Sequence, residues 1–200
     1  MDETGESREV PQPRAVIGLA ETVVAVAGVI GRARNELAIL SCRLEPTLYG
    51  DIAVVDAFSA LALRHERVRI RILVNQPDLA MRRAHRLVEF ARRLSSRIEF
   101  RELPEDQRGL VEDCVIADSA AVWRRDNPEQ LESRVFESTL EARLQLRRFD
   151  PLWETSPPAR AASSTQIHPT APVNATCMPA SSGCAAHQSR AVRALSRSGR

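Results

Sequence analysis

The sequence predicts a mixed α/β sandwich, with a mostly parallel sheet flanked by helices, on three observations. Helical periodicities alternate with the first three strand-like runs, the order that right-handed crossovers and parallel strands require. A fourth and a fifth run are separated by too short a link for a crossover, so they form an antiparallel hairpin. The first run, LAILSCRL, is nearly continuously apolar, as a strand covered on both faces is.

The elements follow in order. Residues 1–15 are polar and contain Pro, and read as a disordered leader. From Val16 the apolar positions Leu19, Ala20, Val23, Ala27 and Ile30 recur at three and four, the period of a helix face, although TVVAVAGVI is β-branched enough to compete as a strand. LAILSCRL from Leu37 is the first strand. Asp51 then offers an N-cap to a helix over 52–65, with Val54, Phe58, Leu61 and Ala62 on one face. VRIRILVN from Val68 alternates Arg with apolar residues before turning wholly apolar, as a strand does on entering a core.

Pro77 opens a helix over 77–94 with an apolar stripe of Ala80, Ala84, Leu87, Val88, Ala91 and Leu94. SRIEFREL from Ser96 is the third strand, and 111–118 with 120–125 make the hairpin. After Asn127-Pro128, residues 128–148 read as a last helix that ends at FDPLWE. From Thr155 the chain becomes Ser, Ala, Pro and Arg without periodicity. That change fits a disordered tail over 155–200, and it equally fits an out-of-frame extension. One domain over 16–154 is expected.

Composition excludes several chemistries. All 28 basic residues are Arg, and the absence of Lys removes P-loop phosphate binding, Schiff-base chemistry and every lysine-dependent phosphoryl-transfer site. Residues 1–154 hold 23 Arg against all 26 acids, a net −3, while 155–200 hold five Arg and no acid, a net +5. A mildly acidic body offers little counterion-release affinity for nucleic acid. Cys42 and Cys114 fall in apolar runs and are expected as buried thiols, and Cys177 and Cys184 have no zinc-site spacing. No Gly-rich nucleotide loop and no nucleophile-elbow order occurs, so no cofactor or metal is expected. The acidic start MDETGESREV is the opposite of a secretory leader, and Val16–Gly31 falls short of the roughly 20 residues of a membrane span. A cytoplasmic protein with no membrane contact is the expectation.

AGVIGRARNELAILSCRLEP from Ala27, a helix ending in charges and feeding a buried strand, resembles the opening of phospholipase D-like half-domains. The strand that ends in Asp118, its hairpin, and the closing Phe149-x-x-x-Trp153 resemble the second half of the same module. HRLVEFARRLSSRIEFR from His85, with FDPLWE from Phe149, is also similar to a family of uncharacterised bacterial domains found alone or beside acetyltransferase domains of the GNAT type. Active phospholipase D-like enzymes carry His-x-Lys-x-x-x-x-Asp on this strand. If Asp118 takes the last position, Val111 stands at the His position and Asp113 at the Lys position. Valine neither attacks phosphorus nor moves a proton, and a carboxylate repels phosphate.

The resemblance therefore implies the fold without its catalytic residues. It implies an accessory or interaction module, with a GNAT-type acetyltransferase or a second copy of the chain as partner.

Other candidates stay open between two readings. His85 is a structural histidine or a functional imidazole. Arg82, Arg83, Arg86, Arg92 and Arg93, with Ser95, Ser96 and Arg101, form an anion or nucleic-acid site, or else a solvated face paired with Glu89, Glu99 and Glu102. Trp123, Arg124 and Arg125 stack a base, or Trp123 packs under the last helix. Phe149 and Trp153 pin that helix to the body. Asp118 is a turn residue. A divergent hydrolase built on His85, Glu112 and Asp118 is a third possibility.

Overall fold

Seven strands form one sheet in the order β1-β7-β6-β5-β2-β3-β4, in a computed structural model that describes residues 12–76 and 86–159. Along the chain these are β1 (Arg14–Ile17), α1 (Leu19–Arg32), β2 (Glu36–Ser41), α2 (Pro46–Tyr49), α3 (Ile52–Arg64), β3 (Arg69–Val74), α4 (Arg86–Arg93), β4 (Ile98–Glu102), β5 (Asp113–Ala117), β6 (Ala121–Arg125), β7 (Glu132–Phe136) and α5 (Thr139–Thr155).

The sheet divides the core by strict alternation, because successive side chains on a strand point to opposite faces. Leu37 and Ile39 of β2, Ile70 and Ile72 of β3, Val115 and Ala117 of β5, and Trp123 of β6 share one cluster with α1, α3 and α4. Ala38, Leu40, Leu73, Cys114, Ile116 and Val122 point the other way and pack against Ala142, Phe149 and Trp153 of α5. Both faces are covered, which explains why Leu37–Leu40 of β2 reads as an unbroken apolar run.

Local chemistry sets the helix boundaries. The Asp51 carboxylate accepts from the Ala53 amide and caps α3, as its sequence position predicts. Gly18, at φ 96°, separates β1 from α1 in a conformation that a side chain would strain. The helix expected from Val16 therefore starts at Leu19, and Val16 lies in a strand, opposite Ser133 of β7. That strand also takes in Arg14 and Ala15 from the expected leader.

Three further expectations are corrected. Residues 128–148 are not one helix, because Ser133 and Val135 are buried in alternation and form β7, and α5 begins only at Thr139. The Ser138 hydroxyl accepts from the Glu141 amide at that start, and α5 runs on through Pro151 to Thr155. The sheet is mixed but not mostly parallel: β2-β3-β4 are parallel, whereas the β1-β7, β7-β6, β6-β5 and β5-β2 pairs are antiparallel. The chain also stays ordered past 154. Pro157 O accepts from the Glu102 amide and the Ala159 amide donates to Phe100 O, which covers the outer edge of β4. The expected helix over 77–94 is seen as α4 from Arg86, and its first part lies outside the described residues, as does the tail beyond Ala159.

Candidate functional site

The strand that raised the question of catalysis is β5, and its two ends do different work. Because β2, β3 and β4 are parallel, their C-terminal ends lie along one edge, where antiparallel β5 begins and β6 ends. That edge gathers Ser41, Cys42, Glu45, Asn75, Asp113 and Arg125.

Asp113 is 1% exposed. One carboxylate oxygen accepts from the Ser41 hydroxyl at 2.9 Å and from the Cys42 amide at 2.9 Å. The other accepts from Arg125 Nη2 at 2.5 Å and Nε at 3.2 Å. Arg125 Nη2 also donates to Glu45 at 2.8 Å. Burial opposes the guanidinium charge, but Asp113 and Glu45 outweigh it and hold Arg125 above its ordinary pKa. Burial first, and the Asp113 charge second, push the Tyr49 hydroxyl well up and the Cys42 thiol up. The Asn75 side-chain amide donates to the carbonyls of Arg108 at 2.9 Å and Leu110 at 2.7 Å, which ties the end of β3 to the loop before β5. Among the described residues, Ser41, Asn75, Asp113 and Arg125 at this edge are each committed to another protein group, while the buried Tyr49 hydroxyl beside them has no hydrogen-bond partner.

The opposite end of β5 carries Asp118. It sits at φ 47°, a left-handed conformation that Asp tolerates better than most side chains. Its two oxygens accept from the amides of Arg34 at 2.6 Å, Asn35 at 3.0 Å and Glu36 at 2.8 Å. It therefore closes the β5-β6 turn and clamps the α1-β2 junction. The turn reading holds, with a clamp added that sequence spacing does not reveal.

Of the remaining candidates, those among the described residues do not converge on either end. Arg82 and His85 lie outside the described residues. Arg86, Arg92, Arg93, Ser95 and Ser96 are exposed on α4 and just after it. Sheet order puts three strand steps, about 14 Å, between the β4 edge that α4 covers and β5. Arg101 lies 4.5 Å from the Trp153 ring centroid, donates to the Trp153 carbonyl at 2.8 Å and pairs with Glu99. Arg124 pairs with Asp126 at 2.9 Å and reaches Glu141 at 3.9 Å.

Trp123 is fully buried on the α1 face, not under the last helix, because its place in β6 points it away from α5. The pinning role of Phe149 and Trp153 is seen directly: their rings stack at 5.8 Å, and the Arg71 guanidinium lies 5.0 Å from the Phe149 ring.

Sequence reasoning missed Ser41, Glu45 and Asn75, and it considered Arg125 for base stacking, not for the pairing with Asp113. The available signal was Asp113 itself, a carboxylate inside an apolar run, which must find a cationic or hydrogen-bonding partner once buried.

A family model matches residues 19–162. The chain belongs to the family described as domain of unknown function (DUF7931). This DUF7931 domain matches no curated protein. Among solved structures it is similar to TrmBL2, described as an archaeal chromatin protein with a novel mode of DNA binding, at TM-score 0.55 and 14% identity, over 74% of this chain and 55% of that one. The chain thus spans about half the length of that protein. It is also similar to Nuc from Salmonella typhimurium, described as a phospholipase D family member, at TM-score 0.49 and 15% identity, over 74% of this chain and 98% of that one. The phosphatidylserine synthase of Haemophilus influenzae gives TM-score 0.49 and 12% identity, over 74% and 39%. Among the described residues, no helix is long and apolar enough to cross a membrane.

Proposed function

We propose that this DUF7931 domain is a catalytically silent α/β module that acts by binding, as an accessory domain to a partner protein. One observation carries the reading. The position where the resembling enzymes hold a phosphate-gripping Lys is the buried carboxylate of Asp113, neutralised by Arg125 and closed off by Ser41 and Cys42. A phosphodiester brought to that edge would meet no nucleophile at Val111 and, at position 113, a carboxylate in place of a cation. Exposed apolar side chains support a protein partner: Ile17 and Leu131 flank the Gly18 amide bond to the Leu131 carbonyl, and Leu140 and Leu144 stand one turn apart on α5.

The partner is a GNAT-type acetyltransferase or a second copy of the chain. Co-purification from the native cell tests this, and recovery as a lone monomer counts against it. Turnover of an activated phosphodiester that is lost on His85→Ala would overturn the non-catalytic reading.

A second reading, binding of phosphate or nucleic acid, is supported by exposed Arg86, Arg92 and Arg93 and by an open cleft lined by Arg32, Arg34, Arg64 and His65. A similar solved structure described as DNA-binding agrees with it. Affinity for single-stranded nucleic acid that falls steeply with salt, and that is lost in an Arg86, Arg92 and Arg93 triple change to Ala, would establish it. Absence of binding at low salt removes it.

A further inference from the structure

A cavity of about 300 Å³ lies between the sheet and α5, open on one side. Its walls are Leu40, Leu110, Cys114, Ile116, Phe149 and Leu152. It belongs to the sheet face that α5 covers, away from the α1 and α3 face. The polar residues that line it are Glu112, Gln145, Arg147 and Arg148, and three of them are engaged with one another or with Glu141. Arg148 Nη2 pairs with Glu112 at 2.8 Å, and Arg148 Nη1 donates to the Gln145 side-chain carbonyl at 3.3 Å, while the Gln145 amide donates to Glu141. Arg147 is exposed and has no ion pair among the described residues. The lining thus holds two Arg against one Glu, a surplus of one positive charge at the rim of an apolar chamber.

From this arrangement we infer that the cavity binds a single-chain amphiphile with one negative charge, a medium-length carboxylate whose chain enters the cavity and whose head meets Arg147. A charged head at the apolar walls would be desolvated without a partner, whereas at the rim it stays hydrated and gains an Arg donor fork. A methylene takes up about as much room as a water, whose share of the liquid is roughly 30 Å³, so a chain of about eight to ten carbons matches the space. Chamber size, apolar walls and a few convergent polar groups are what small-molecule sites have in common.

Calorimetric titration of the full chain with decanoate, kept below its micelle concentration, tests the inference. Saturable one-to-one binding is expected, with no saturable heat from decyltrimethylammonium. Arg147→Glu, at an exposed position, weakens binding by about tenfold or more, since one charge-assisted contact is turned into a repulsion. Leu152→Trp, at a half-buried wall position, fills the chamber and abolishes binding. An independent reading needs no variant: decanoate raises the melting temperature of the full chain, and decyltrimethylammonium at the same concentration does not. No saturable heat with decanoate, equal binding of the cationic amphiphile, or an unshifted melting temperature with decanoate would each overturn the site.

Discussion

The carboxylate of Asp113 accepts a 2.5 Å hydrogen bond from Arg125 Nη2, and the two residues face each other across the β5-β6 register, 1% and 4% exposed. Removing Asp113 leaves the Arg125 guanidinium buried with Glu45 as its remaining charged partner and with its Nε unmet. Asp113→Ala is therefore expected to cost about 3–5 kcal/mol in urea unfolding. The Asp113→Ala, Arg125→Met double variant should recover a large part of that loss, because both desolvated charges are gone. Strictly additive losses would show that the two residues are not coupled.

Restoring catalytic residue types at this edge should not produce an enzyme. The ammonium introduced by Asp113→Lys faces the Arg125 guanidinium, so Val111→His with Asp113→Lys is expected to unfold at lower temperature and to give no phosphodiesterase turnover. Measurable turnover in that variant would mean that the edge is still shaped for the reaction.

Asp118 differs from Asp113 in that it is surrounded by backbone amides and not by a cation. Asp118→Ala loses the acceptor for three amides and places a Cβ-bearing residue at positive φ without the compensating contacts, for a cost of about 2–4 kcal/mol. Asp118→Asn keeps one acceptor oxygen and tolerates the left-handed conformation, so its loss should be smaller. Equal losses in the two variants, measured by chemical denaturation, would remove the clamp interpretation.

Alkaline pH should weaken the fold through three buried groups, two thiols and a phenol. Burial pushes the thiols of Cys114 and Cys42 up, and burial pushes the Tyr49 hydroxyl well up. The folded state then holds its protons when the unfolded chain has released them. The stabilisation is complete below the unfolded thiol value of about 8.5 and is lost as pH rises from there toward the folded values. In a Cys42→Ala, Cys114→Ala variant the decline should begin only near the unfolded tyrosine value of about 10. A melting temperature with the same alkaline slope in both proteins would contradict this.

The strand edge beyond β4 gives a boundary that can be tested by truncation. A chain that stops after Glu154 lacks the two backbone hydrogen bonds of Pro157 and Ala159 to β4, and the burial of Ala159. It should be less stable than a chain that stops after Ala162 by about 2–3 kcal/mol. Equal melting temperatures would place the boundary at 154.

Much of this fold could be read from local pattern. The runs Leu37–Leu40 and Ile72–Val74 are apolar because both faces of the sheet are covered, and the Asp51 cap and the Phe149 and Trp153 pair announce themselves by residue type and spacing. The β7 strand was harder to find, because LESRVF between two helix-forming stretches alternates for only a few residues. The Ser138-x-x-Glu141 start that closes it off is a stronger signal than the periodicity that overran it.

What the sequence by itself determined was an Arg-only chain with an α/β order, two buried thiols and no Lys or His where the resembling enzymes need them. Burial, register and strand direction were decided only by the tertiary structure. These pair Asp113 with Arg125, 12 residues away, and bring Asp118 to amides more than 80 residues earlier in the chain. They also place Cys114 in the wall of a cavity beneath α5. Local propensity acts over a few residues, whereas a buried charge takes whichever partner the sheet order brings beside it.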